Sequence, residues 1–226
     1  MSRVVFDIET LGFPLETFDE ARQEYLMKFA ATEEEKAEAI LKMNLSPLTA
    51  QILAIGMIDP DRMRGGVFFQ GPGLSPWQSD DATIKFLPTD EKQMLEEFWK
   101  AIDHYDTVVT FNGRSFDAPF VMLRSAMLGV RARRNLVPNR YRPDQHCDLL
   151  DQLTFYGATR KYNLDFYCKA FGIRSPKEEG ITGLDMGPLF REERYREIAE
   201  YCIRDVRATA ELFLKWERYL GANGGG

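Results

Sequence analysis

Near its start the chain reads Val4-Val5-Phe6-Asp7-Ile8-Glu9-Thr10, an apolar, strand-forming run that ends in two carboxylates one residue apart. Residues i and i+2 of a strand point to the same face, so Asp7 and Glu9 project together at the strand's end. An apolar strand gains nothing from two like charges side by side, and their repulsion calls for a cation. Two more carboxylates follow downstream: Asp117 just after a strand-like run, and Asp205 one helical turn beyond Tyr201. Four carboxylates delivered from three separated elements are what a pair of Mg²⁺ ions needs to hold a phosphodiester. Taken singly, each has a plainer explanation. Strand ends are commonly polar, Asp117 suits the first turn of a helix, and an acid such as Asp205 on a half-buried stripe can pair with an arginine.

The rest of the chain alternates between two periods. Strand patterns lie at 3–8, 52–58, 67–70, 107–111 and about 145–149; helical patterns lie at 91–102, 116–128, 164–171 and 193–220. Such an order predicts an α/β fold with a mixed sheet. The run at 52–58 suits a strand buried on both faces, and Gly65-Gly66 leads into an antiparallel partner. Asn112-Gly113 is a tight turn, and Gly172 suits the position just past a helix. Between the first two strands, Thr17-x-x-Glu20 and Thr32-x-x-Glu35 read as capping boxes. With Phe18, Tyr25, Phe29, Ile40 and Leu41 at helical spacing, they predict a helical hairpin over about 16–46. It serves either as a lid or strand guide over the acids or as packing decoration.

A chain of 226 residues with 44% hydrophobic content fits one domain, expected over 1–220 with a disordered glycine-rich tail at 221–226. No apolar stretch approaches membrane-spanning length and no signal-peptide pattern opens the chain, so the expectation is a cytoplasmic protein without a membrane. Cys147, Cys168 and Cys202 have neither CxxC spacing nor a histidine cluster, which speaks against a disulfide framework or zinc site. The net charge of −6 argues against a protein that coats nucleic acid, though not against an enzyme whose acidic centre is neutralised by metal. Arg131, Arg133, Arg134, Arg140 and Arg142 crowd one stretch, which is either a phosphate-contacting edge or a solvated connection.

The segments FDIET at 6–10, NGRSFDAPF at 112–120 and YCIRD at 201–205 together resemble the three exonuclease motifs of the DEDD superfamily of 3′–5′ exonucleases. The Y-x-x-x-D spacing of the last resembles the DEDDy branch. The sister branch uses H-x-x-x-x-D, and His104 and His146 do not supply it. From Val4 to about Leu214 the chain is similar to stand-alone bacterial exonucleases related to the proofreading domain of family B DNA polymerases. Asp148 to Leu150, Leu164-Asp165 with Gly172-Ile173, and Tyr201-Cys202 with Asp205-Val206 add to that resemblance.

The resemblance implies a ribonuclease H-like fold, a five-stranded mixed sheet flanked by helices, here with a helical insertion after the first strand. It implies two Mg²⁺ or Mn²⁺ ions held by Asp7, Glu9, Asp117 and Asp205, with Asp7 between them and Asp117 acting mainly through water. Tyr201 would orient the attacking water. Thr10, Leu11, Asn112 and Phe116 would line a pocket for the terminal nucleotide. The implied substrate is a single-stranded nucleic acid with a free 3′ end, DNA ahead of RNA, and a DNA polymerase or repair protein is the implied partner. An exoribonuclease using the same acids and a catalytically silent nucleic-acid-binding or polymerase accessory module are the alternatives.

Overall fold

The computed structural model describes residues 1–221, apart from the side chains of Glu178 and Glu179. Positions 222–226, most of the expected tail, lie outside the described residues. Runs rich in Val, Ile and Phe form strands and amphipathic runs form helices, in the order β1 (Arg3–Gly12), α1 (Glu20–Met27), α2 (Glu33–Met43), β2 (Ala50–Asp59), β3 (Arg64–Gln70), β4 (Trp77–Gln78), β5 (Ile84–Thr89), α3 (Glu91–Ile102), β6 (Thr107–Thr110), α4 (Asp117–Met127), β7 (His146–Asp148), α5 (Leu149–Leu153), α6 (Leu164–Ala170), α7 (Met186–Arg191) and α8 (Tyr195–Leu220).

Among the described residues the strands make one seven-stranded sheet in the order β4-β5-β3-β2-β1-β6-β7. The pairs β1–β2, β2–β3 and β4–β5 are antiparallel, whereas β1–β6, β6–β7 and β3–β5 are parallel. The sheet is the mixed, helix-flanked sheet of a ribonuclease H-like fold, with β5 and β4 extending the five strands β3-β2-β1-β6-β7 at one edge. β5 carries Pro88, which cannot donate to a ladder, and its outer neighbour β4 pairs only at Lys85 and Phe86, clear of the proline.

Two hydrophobic layers sandwich the sheet. Val4, Phe6 and Ile8 pack with Phe98 and Trp99 of α3 and Phe120 of α4, while Val5 packs on the opposite face with Tyr201, Cys202 and Val206 of α8. β2 is buried on both faces from Ile52 to Ile58. The odd-numbered face of β1 is thus the one that meets α8, and Asp7 and Glu9 belong to it.

α1 and α2 form the helical pair between β1 and β2. Only one of the two capping boxes forms. Thr32 accepts from the Glu35 amide at 3.2 Å while Glu35 accepts from the Thr32 amide at 3.0 Å. Asp19 instead caps α1, accepting from the Arg22 amide at 2.9 Å, and Thr17 donates to the Pro14 carbonyl at 2.6 Å. A carboxylate two residues downstream outcompetes the threonine as a cap and sets the helix start there. The arginine stretch is pinned to the protein itself. Arg133 pairs with Asp103 at 2.6 Å, Arg134 donates to the Tyr105 carbonyl at 2.6 Å, Arg142 pairs with Asp144 at 2.9 Å and Arg140 pairs with Asp151. These partners support the reading as a connection rather than as a phosphate-contacting edge.

Candidate active site

Strand alternation puts Asp7 opposite Gly56 and Glu9 opposite Ala54, both small residues of β2. A Cβ built on Gly56 would meet Val206 Cγ2 at 2.8 Å and Cys202 Sγ at 3.0 Å, so only glycine lets α8 lie this close to the sheet. The Cys202 thiol faces the Asp7 carbonyl at 3.7 Å. Ligand atoms of Asp7, Glu9 and Cys202 all lie within 4.8 Å of one another. A β-bulge follows at once, between Glu9 and Thr10, a device that re-aims side chains near active sites.

The third acid arrives from the other side of β1. After β6, Asn112 adopts a left-handed φ of 63°, which asparagine tolerates, and Gly113 folds back on Thr110 so tightly that a Cβ would sit 2.5 Å from it. Asp148, at the end of β7, holds this turn by accepting from the amides of Asn112 at 2.9 Å and Arg114 at 3.0 Å. The turn starts α4 at Asp117, whose buried carboxylate accepts from the Ile8 amide at 3.0 Å. His146 sits beneath, with Nε2 at 2.8 Å from Thr110 Oγ1 and Nδ1 at 2.7 Å from the Leu136 carbonyl. Burial lowers its pKa to about 4, so it is a neutral structural residue.

α8 brings Tyr201 and Asp205 on one face, one turn apart, and the tyrosine hydroxyl donates to the Asp205 carboxylate. The electrostatics follow from crowding like charges in a water-poor site. Burial, and then the charges of Asp117, Asp205 and Glu9, push Asp7 well above the ordinary carboxylate range. Burial, and then Asp205 and Asp117, do the same to Glu9. Burial lifts Asp117 to about 7 against the hydrogen bond from Ile8, and lifts Asp205 to about 6 against the one from Tyr201. Burial, and then the charges of Asp205 and Glu9, hold the Tyr201 phenol far above its usual pKa. Tyr201 therefore stays protonated at neutral pH and is available as a hydrogen-bond donor.

Four carboxylates raised chiefly by burial, with hard oxygen donors, fit a divalent cation that prefers oxygen, such as Mg²⁺ or Mn²⁺. Asp7 and Glu9 stand closest to such a role because their carboxylates converge. Asp117 and Asp205 are outside that close trio and act on it through their charges.

The remaining sequence-predicted residues are less concentrated. The Thr10 hydroxyl donates to the Asn44 carbonyl at 2.8 Å, tying β1 to the end of α2. Leu11 is half-buried and turns toward Gly187 of α7. Asn112 is half-buried in its turn, and Phe116 is half-buried against Phe120 with ring centroids 5.5 Å apart. Two residues escaped the sequence reading of the site. Cys202 was visible as the neighbour of Tyr201, three residues before Asp205 and so on nearly the same helical face. Asp148 offered only its place at the end of a short strand. A cavity of about 670 Å³ lined by Arg3, Thr107, Cys147, Phe213 and Trp216 lies at the opposite end of β1 and β6, away from the acids.

An acidic cleft on a ribonuclease H-like sheet defines a class of phosphodiester-cleaving enzymes, and the comparisons with known proteins narrow it. Residues 78–223 match the family described as predicted 3′-5′ exonuclease related to the exonuclease domain of PolB, and residues 1–142 match the DNA polymerase family B exonuclease domain. The chain belongs to this family of 3′–5′ exonucleases related to the exonuclease domain of family B DNA polymerases. It is 27% identical over 159 residues to a DNA polymerase of Desulfurococcus sp. (strain Tok), covering 63% of this chain and 20% of that protein. It is 27% identical over 146 residues to the catalytic polypeptide of DNA polymerase epsilon of Emericella nidulans, covering 58% of this chain and 6% of that one. The chain thus spans a fifth or less of these polymerases. In structure it matches the family B DNA polymerase of Pyrobaculum calidifontis with a TM-score of 0.63 over 95% of this chain and 24% of that one, at 18% identity. Among the described residues no helix is long and apolar enough to cross a membrane.

Proposed function

We propose that this exonuclease shortens single-stranded DNA from its 3′ end, with two Mg²⁺ or Mn²⁺ ions held by Asp7, Glu9, Asp117 and Asp205. The observation that carries this reading is the convergence of acids from β1, α4 and α8, each raised in pKa by burial, with a protonated tyrosine beside them. Held by these four carboxylates, divalent ions would supply charge neutralisation of the acids and the phosphate and a more acidic water for the attack. The chain's own residues do the rest. Asp7 and Glu9 present their carboxylates together, Asp117 is fixed through Ile8, and Tyr201 bridges to Asp205 while its hydroxyl orients the attacking water. Leu11 and Phe116 pack against the terminal base, Asn112 hydrogen-bonds the terminal nucleotide, and Thr10, held by its bond to Asn44, lines the pocket, roles compatible with their half-buried positions.

Metal and backbone contacts to phosphate carry no sequence information, so cleavage is sequence-independent and favours a frayed or single-stranded end. The domain is the span 1–220, with α1 and α2 as an insertion. Across 16–46 acidic side chains outnumber basic ones two to one, which suits packing or protein contact better than guiding a polyanion. A DNA polymerase or repair protein is the proposed partner. The buried free thiols of Cys147, Cys168 and Cys202 suit a reducing cytoplasm.

The test compares DNA and RNA of one sequence, each as single strand and blunt duplex, with Mn²⁺. Faster shortening of single-stranded DNA supports the reading; faster RNA shortening would replace it with an exoribonuclease.

A further inference from the structure

An aromatic residue at the start of a helix usually folds down to staple it, but at α6 the aromatic surface stays open. Asn163 caps the helix by accepting from the Phe166 amide at 3.0 Å. Tyr162, just before the cap, stacks on Phe166 with ring centroids 4.3 Å apart and planes within 12°. Phe166 nevertheless keeps 54% of its surface exposed. The Arg160 guanidinium lies 5.0 Å from the Tyr162 ring centre.

This stack is continuous with the turn that positions Asp117. Tyr162 meets Tyr167 edge-on at 6.3 Å, and Tyr167 meets Phe111 at 5.7 Å. Phe111 immediately precedes Asn112, in the turn that positions Asp117. The opposite side of α6 faces α8 through buried Cys168, whose thiol is pushed up to about 12 by burial and then by the charge of Asp205. A row of four rings thus leads from the edge of the acid cluster to open solvent. Charge marks the same place. Arg160 and Lys161 are exposed, and no acidic residue occurs between Asp151 and Asp165, in a chain whose net charge is −6.

We propose that the Tyr162–Phe166 stack, with Arg160 and Lys161, is a platform on which bases of single-stranded DNA upstream of the cleaved nucleotide stack. The exposed Phe166 ring, backed by half-buried Tyr162, accepts any base, and adjacent cations meet the phosphates. A buried staple would need neither the exposure nor the charge. The placement of the bases upstream rests on the 3′–5′ exonuclease reading; the binding itself does not.

The experiment measures anisotropy of a 5′-fluorescent oligo(dT) with the full chain, in Ca²⁺ to neutralise the acids, for wild type, Phe166→Ala, Tyr162→Ala and Phe166→Tyr. Each alanine variant is expected to bind about tenfold more weakly, as loss of one stacked base predicts, while Phe166→Tyr binds as wild type does. Thermal melts check that exposed Phe166 can be replaced without unfolding. Equal affinity in wild type and the alanine variants would overturn the proposal, as would absence of binding by folded wild type. Cleavage in Mn²⁺ separates the two ideas. Tenfold-weaker binding without any shortening of the strand keeps the platform and rejects the exonuclease reading. Shortening with the same KM in Phe166→Ala and wild type keeps the exonuclease and rejects the platform.

Discussion

The backbone amide of Ile8 donates to the carboxylate of Asp117 across 3.0 Å. Pairing of β1 with β6 ends at Val5 opposite Val109, and beyond that point the amide between the first two acids is taken by the third. One hydrogen bond therefore fixes the distance between the β1 pair and α4. Asp117→Ala should abolish cleavage and also orphan a buried amide, at a cost of about 1–3 kcal/mol. Asp117→Asn keeps an acceptor, so it should lose activity with much less loss of stability. Urea unfolding of both variants beside cleavage assays checks the difference.

Without metal, the acid cluster should oppose folding at neutral pH. Asp117 is raised to about 7 and Asp205 to about 6, with Asp7 and Glu9 also raised. A carboxylate whose folded pKa exceeds its unfolded value stabilises the fold fully only below the unfolded value, and that contribution is lost as pH rises through the folded one. The loss runs from about pH 4 to about pH 7. His146, lowered to about 4, acts oppositely as pH falls through its unfolded value of about 6.5. Asp7→Asn leaves His146 untouched, so the pair of proteins isolates the cluster. In EDTA at pH 8 the variant should be the more stable, with the gap shrinking toward pH 4. Mn²⁺ should stabilise wild type more than the variant. A variant that is less stable than wild type in EDTA at pH 8 contradicts the electrostatic account.

Tyr201→Phe removes one hydroxyl from a buried ring and leaves its packing. Because the phenol is protonated throughout the neutral range, its loss should lower kcat about 100-fold without shifting the alkaline limb of the pH profile of cleavage. A new or displaced alkaline limb in the variant would instead assign Tyr201 the role of a base.

Gly56→Ala should act through the position of α8 while leaving every acid in the chain. The added methyl meets Val206 and Cys202 at 2.8–3.0 Å and must push α8 away from β1. Destabilisation of about 1–3 kcal/mol, as for overpacking elsewhere, should accompany a fall in kcat, because Tyr201 and Asp205 ride on the displaced helix. Full activity in a stable Gly56→Ala protein would mean that the helix-to-sheet distance does not set the site.

Much of this was legible in the sequence because strand and helix periods carry geometry. The period of two put Asp7 and Glu9 on one face, and the 3.6 period put Tyr201 and Asp205 on another. Other features depend on contacts that no local pattern encodes. Asp148 supports Asn112 across a strand pair separated by 36 residues. Cys202 enters the acid cluster only because Gly56 permits close packing. β5 was hidden by Lys85 and Pro88, and it exists because β3 offers an edge at which a proline is tolerated. Whether the arginines at 131–142 face phosphate or the protein was open in the sequence, and the structure pairs Arg133, Arg140 and Arg142 with Asp103, Asp151 and Asp144.

The most direct test of the central claim is the polarity of degradation. Single-stranded DNA labelled at its 5′ end, and separately at its 3′ end, is incubated with wild type and Asp7→Ala in Mn²⁺ or EDTA. The account predicts a stepwise ladder from the 5′-labelled strand and immediate release of a mononucleotide from the 3′-labelled one. Both should require metal and both should be absent in Asp7→Ala. The reverse polarity, cleavage of a circular strand, or undiminished activity in Asp7→Ala or EDTA would contradict it.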